Sequence, residues 1–321
     1  MAEVISFEEA IQRTDGDLSL LIGNGFSAEY FNYATLLNAS GLPDDDPVRK
    51  LFAELQTNDF EKAVRSLETA ALVENAYGEE ARAECLEVDA QRIREALVTA
   101  INTTHPAHRD QLKDRFASSA VFLAHFDRVF SLNYDLLLYW VNLEKAHLSD
   151  GFGLGERTGQ FLGPFREDAY CHIYNLHGGL HLFDNGLGEI IKAVDEGDGV
   201  IATIGKTIRD KRKMPVYVAE GTSAQKVRKI NSVPYLRHCL DQLRQTTSTL
   251  FVYGHSADEN DAHVYSAIFT PEVKHLYFGV WEPTEEKIRA MDGQLAKYQK
   301  VAGAGTDYTF FDSASARVWE A

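Results

Sequence analysis

Apolar positions along this chain fall into two alternating patterns. Short apolar runs, too short for helices, end abruptly in small or polar residues. Examples are Leu18 to Ile22 before Gly23, Arg128 to Leu132 before Asn133, Tyr170 to Leu176 before His177, and Leu250 to Tyr253 before Gly254. Such runs read as buried strands. Pro215 to Ala219, His275 to Val280 and Tyr308 to Phe311 read the same way. Between them lie stretches with helical spacing: residues 1–17 (Val4, Phe7, Ala10, Ile11), Leu136 to Leu143, 233–246, Ala262 to Phe269 and 284–299. Strands that alternate with helices predict an α/β fold with a doubly wound, mostly parallel, Rossmann-like sheet.

One long stretch breaks the alternation. After the turn Gly41 to Pro47, residues 48–124 are rich in Ala, Glu, Leu and Arg and keep helical spacing throughout (Phe60, Ala63, Val64, Leu67; Ile93, Ala96, Leu97, Ala100). They predict three or four helices inserted between the first two strands. The expected organisation is therefore an α/β domain made of 1–47 and 125–321, with a helical subdomain over 48–124. Thr104-His105-Pro106 marks a helix boundary, and His105 and His108 read as a solvated helix start. Residues 149–169 carry many glycines and are expected to form a mobile loop, while Asp184-Asn185-Gly186 signals a hairpin.

Charge narrows the possibilities. The 321-residue chain has 32 basic and 48 acidic residues, a net charge of −16, which disfavours general binding to nucleic acid or an anionic membrane. Lys226, Arg228 and Lys229 form one of its few basic clusters. Three dispersed cysteines make neither a zinc ribbon nor a disulfide framework. With no apolar leader and no long apolar run, a cytoplasmic protein is expected.

Candidate chemistry gathers at the strand ends. Gly23-Asn24-Gly25-Phe26-Ser27 reads as a tight strand-to-helix turn, with Ser27 as N-cap and free N–H groups suited to a phosphate; an ordinary βα turn reads equally well. Asn133 and Asp135 follow the second strand, as ligand-binding groups or as helix caps. His177-Gly178 ends the third, and Gly254 to Asp261 ends a later one. In a doubly wound sheet these ends converge on one crevice. Cys171, His172, His177 and His181 match no tetrahedral metal pattern, so no metal is expected.

Together these motifs resemble the SIR2-like family, particularly its standalone bacterial members and the DUF4917 group. The Gly-Ala-Gly-x-Ser turn that cradles NAD in that family corresponds to Gly23-Asn24-Gly25-Phe26-Ser27, with Asn24 in place of Ala. Ser131-Leu132-Asn133-Tyr134-Asp135 is similar to its Thr-Gln-Asn-x-Asp motif, His177-Gly178 to its His-Gly, and Gly254-His255-Ser256 with Asp258 or Asp261 to its late Gly-Tyr-Ser-x-x-Asp. The resemblance implies a SIR2-type NAD glycohydrolase: a hydrolase that cleaves NAD+ to nicotinamide and ADP-ribose. It also implies an effector of anti-phage defence by NAD depletion, held inactive until a partner or nucleotide signal arrives. By the same resemblance, Asn133 positions water or the ribose, Asp135 holds the carboxamide and His177 is the general base. Gly23, Asn24, Gly25, Phe26 and Ser27 line the pyrophosphate site, while Gly254, Ser256 and Asp261 bracket the adenosine half. The family's zinc module is missing, which argues against protein deacylation. Because NAD destruction must be restrained, a homo-oligomer or a hetero-complex with a nucleotide-processing or regulatory protein is expected. The alternative is a non-catalytic subunit that binds NAD or ADP-ribose.

Overall fold

The computed structural model describes residues 3–31, 36–153, 156–195, 199–219, 221–270, 272–303 and 305–320. Its strands are β1 (Val4–Ser6), β2 (Leu18–Ile22), β3 (Arg128–Ser131), β4 (Glu156–Thr158), β5 (Phe161–Gly163), β6 (Ile173–Asn175), β7 (Gly178–Asp184), β8 (Ile190–Ala193), β9 (Pro215–Tyr217), β10 (Ser248–Tyr253), β11 (Val273–Val280) and β12 (Asp307–Asp312). Its helices are α1 (Phe7–Gln12), α2 (Leu36–Ala39), α3 (Pro47–Glu54), α4 (Phe60–Ala76), α5 (Glu80–Thr104), α6 (Phe116–Leu123), α7 (Leu137–Val141), α8 (Val200–Asp210), α9 (Ser223–Ser232), α10 (Pro234–Arg244), α11 (Ala262–Ile268) and α12 (Glu285–Ala302).

Seven strands form one parallel sheet in the order β1-β12-β11-β10-β2-β3-β6. From β2 the chain steps outward to β3 and β6, then returns to the other side of β2 and runs outward again through β10, β11 and β12. The order reverses between β2 and β10, whose residues pair Leu20 to Phe251 and Ile22 to Tyr253. Reversal of this kind leaves a crevice at the carboxyl ends of the two strands.

Side-chain alternation divides the interior into two layers, one on each face of the sheet. Leu20, Ile22, Val129, Phe251, Tyr253 and Phe311 face one core, which contains residues from α1 and α3 through α7. Leu21, Phe130, Leu250, Val252, Leu276 and Phe310 face the other, against α9 through α12. The sheet is therefore doubly wound, as its sequence pattern predicts. Helices α3 to α6 follow one another between β2 and β3; Asp46 and Asp59 cap α3 and α4 with their carboxylates.

Several elements differ from expectation. Residues 1–17 are not simply helical: Val4–Ser6 pairs with β12 at the sheet edge before α1 begins. The expected glycine-rich loop contains β4 and β5, which join β8, β7 and β9 in a second, five-stranded antiparallel sheet. Thus β9 belongs to this sheet rather than to the parallel one, and the hairpin at 184–186 connects β7 to β8. No helix starts at Ser27. Asn24–Phe26 form a single 3-10 turn with Ser27 at its C-terminal end. His105 is not solvated but buried, and its Nε2 accepts the Leu136 N–H at 3.1 Å.

Candidate functional site

The crevice is closed at its base by glycines. Gly25 N–H donates to the Gly254 carbonyl at 2.7 Å, and Gly23 N–H to the Tyr253 carbonyl at 2.9 Å. A Cβ on Gly25 would stand 2.5 Å from Gly254 Cα, and Gly254 itself adopts φ +69°. These glycines let the ends of β2 and β10 touch. Phe26 is fully buried beneath them; its ring lies 5.2 Å from that of Trp319, and its carbonyl accepts the indole N–H.

Above this base lies a cleft of about 190 Å³, lined in part by Asn24, His177, Lys226, Gly254, Ser256 and Asp261. Asn24 and Ser256 are exposed at its rim, while His177 is buried. Gly178 fixes the position of His177. It adopts φ +70°, and a Cβ there would meet the Val216 carbonyl at 2.1 Å, so the chain can turn from the parallel sheet into the antiparallel one directly after the histidine.

Asp261 is the hub. Its Oδ1 accepts from Lys226 Nζ at 2.7 Å and stands 3.8 Å from His177 Nε2, while its Oδ2 lies 3.3 Å from His255 Nε2. The Ala257 N–H donates to His255 Nδ1 at 2.9 Å, so the His255 proton sits on Nε2 and points at the carboxylate. Burial works to raise the Asp261 pKa. The His255 hydrogen bond, the polar rings of His177 and His255 and the Lys226 ammonium outweigh it and hold the group below the usual carboxylate range. Asp261 precedes α11 but makes no side-chain cap hydrogen bond; Asp258 caps the turn before it.

His177 Nε2 also lies 3.3 Å from His263 Nε2, and His263 Nδ1 lies 3.1 Å from Ser223 Oγ. Burial lowers the pKa of His177 to about 3, with Asp261 opposing the shift, and that of His263 to about 4. Both rings are neutral at pH 7, and across the 3.3 Å contact one Nε2 donates and the other accepts. The ligand atoms of His177, Asp261 and His263 lie within 4.8 Å of one another; the Lys226 ammonium already places a positive charge at that carboxylate.

Asn133 and Asp135 stand apart from this cleft. Leu132 and Tyr134 line it, and the intervening side chains turn into a second buried cluster. There Asn133 Nδ2 donates to Ser27 Oγ at 3.1 Å, and Asp135 Oδ1 accepts the Leu137 N–H at 2.7 Å. Burial pushes the Asp135 carboxyl up to about 6, against hydrogen bonds from Leu137 and Ser27. Asn133 Oδ1 is buried with no partner among the described residues. The expected catalytic trio is thus divided: His177 joins Asp261 in the cleft, and Asn133 and Asp135 join Ser27 beneath it. Cys171, His172 and His181 are engaged elsewhere, with the Ala169 carbonyl, the Ser149 N–H and the Tyr139 ring.

A family model described as Domain of unknown function (DUF4917) matches residues 20–319. The chain belongs to that family. The match runs from within β2 to Trp319 and so takes in the cleft, the antiparallel sheet, the parallel sheet apart from β1, and every helix from α2 to α12. None of the curated proteins matches the chain. Sequence reasoning singled out His177, Gly254 and Asp261 for this DUF4917 site, and Lys226 as part of a basic cluster. It named His255 within a motif but gave it no role, and it missed His263 and Ser223. His255 is the one with a signal, since it directly follows a strand-end glycine. His263 and Ser223 reach the site from α11 and the start of α9, and only tertiary packing brings them there.

Proposed function

We propose that this protein is an NAD+ glycohydrolase of SIR2-like type, which converts NAD+ and water to nicotinamide, ADP-ribose and a proton. The carrying observation is a neutral, buried His177 beside an ionised Asp261, in a cleft where the strand order reverses. Cleavage of a glycosidic bond to a cationic leaving group leaves an oxocarbenium-like sugar. That centre needs a nearby carboxylate and a base for the attacking water. In this scheme His177 takes the water proton, and Asp261, 3.8 Å away, stabilises the imidazolium that forms. Asn133 and Asp135 act from beneath, fixing the turn through Ser27 rather than touching the reacting atoms. Asn24 and Ser256 at the rim contact the nucleotide.

An enzyme that consumes NAD+ must be restrained in the cell. We therefore infer a role in anti-phage defence by NAD+ depletion, with activity released by a partner or nucleotide signal in a homo-oligomer or a hetero-complex. Incubation of the protein with NAD+ in H2(18O) should yield equimolar nicotinamide and ADP-ribose, with the label in ADP-ribose. Intact NAD+ after incubation with the protein and its natural complex would overturn the proposal. The small cleft and the inward turn of Asn133 and Asp135 favour a second reading, a subunit that binds NAD+ or ADP-ribose without turnover. Saturable binding with no product would select it.

A further inference from the structure

The proposed substrate is longer than the cleft that holds His177. Sites that enclose a cofactor-sized ligand run to about 300–1,000 Å³, and this cleft measures about 190 Å³. Past Val218, Ala219 and Lys226, which line both spaces, it opens into a groove of about 710 Å³ between α4 and α9. The groove is cationic within an acidic protein: Lys62, Arg65, Lys226, Arg228 and Lys229 line it against Asp59 and Glu61, in a chain of net charge −16.

Its carboxylates leave part of that charge unmatched. Asp59 caps α4 with Oδ1, which accepts the N–H groups of both Glu61 and Lys62. Glu61 is shared between Arg65 and Lys229. Lys62 Nζ donates to the Leu55 carbonyl. Arg228 is exposed in the groove and has no partner among the described residues. A guanidinium in this state presents a planar fork that matches phosphate oxygens.

We infer that the groove between α4 and α9 binds the diphosphate-bearing part of a nucleotide whose glycosidic bond lies at His177, with Arg228 as its chief anion contact and Lys226 at the junction with the cleft. The inference rests on the proposed function for the reacting end alone. It moves the diphosphate away from the Gly23 to Ser27 turn, where the Gly25 N–H is committed to Gly254.

The test measures binding of ADP-ribose and of inorganic pyrophosphate by calorimetry, alongside NAD+ kinetics. Arg228→Glu and the Arg65→Glu/Arg228→Glu pair are compared with wild type. Lys274→Glu, an exposed change at the amino-terminal end of β11, serves as the control at the opposite ends of the strands from the cleft. Arg228→Glu should raise Kd for both ligands at least tenfold, with a similar rise in KM for NAD+ and little change in kcat, and added salt should weaken wild-type binding. Unchanged Kd values in both groove variants, or no binding of either ligand by wild type, would overturn the inference. Weakened binding without any nicotinamide release would keep the groove and remove hydrolysis. Nicotinamide release with KM untouched would keep hydrolysis and remove the groove.

Discussion

Gly254 shows how a single residue can be noticed in the sequence for one reason and be needed for another. Glycines at a strand end suggest room for a ligand. Here Gly23, Gly25 and Gly254 instead let two strand ends meet, because a Cβ on Gly254 would fall 2.7 Å from Gly25 Cα and Phe26 N. Its φ of +69° adds a conformational cost of about 1–3 kcal/mol for any other residue. Gly254→Ala should lower the melting temperature by several degrees even without ligand, and an unchanged melting temperature would contradict this packing role. His177 was legible because a polar residue directly after a buried run has few structural reasons to be there. Asp261 was legible only as one of two acids; the structure separates them by making Asp258 the cap and Asp261 the hub. His263 left no sequence signal, since a histidine one position into a helix is ordinary.

At the scale of elements, the turn from β3 to α7 carries a charge that burial disfavours. Period-2 alternation directs Leu132 and Tyr134 toward the cleft and Asn133 and Asp135 away from it. Where the chain leaves a strand, that phase cannot be read from sequence, so Asn133 and Asp135 looked available for a ligand. The native Asp135 pKa of about 6 lies above its unfolded value near 3.9. Between those limits the native state holds more protons than the unfolded one, and this carboxylate destabilises the fold increasingly as pH rises toward 6. Asp135→Asn should therefore gain melting temperature relative to wild type between pH 4 and pH 6.5. A difference independent of pH would show that the carboxyl is not buried as described. The inserted helices α3 to α6 were legible from spacing. Strand β1 was not: only Ile5 of its three residues points inward, and the chain enters α1 at once.

Across the whole molecule, the doubly wound sheet was legible because fully apolar runs alternating with amphipathic stretches admit few other folds. The second sheet was only half visible, as its hairpin. Pro215 to Tyr217 is as apolar and as buried as a central parallel strand, and its sequence does not say which sheet it joins. Stability should share a common acid limb. Burial holds His105 and His263 at about 4 and His177 and His181 at about 3, against about 6.5 when unfolded. The unfolded chain binds more protons throughout that interval, so stability is full above pH 6.5 and is lost as pH falls toward 3. Asp135 and Asp59, whose carboxyls burial raises, oppose this, while His275, lowered by burial, adds to it. The melting temperature should fall steadily from pH 6.5 to pH 4.5; a flat or rising profile would contradict the burial of these rings.

We propose that His177 and Asp261 perform glycosidic cleavage in the cleft at the reversal of strand order. The most direct measurement is nicotinamide release from NAD+ by wild type, His177→Gln and Asp261→Asn, with ADP-ribose affinity measured on the same preparations. Loss of general base catalysis is worth about 10²–10⁴-fold, so His177→Gln should fall by at least about a hundredfold in kcat while ADP-ribose still binds. Wild-type turnover in both variants, or none in any form of the protein, would contradict it.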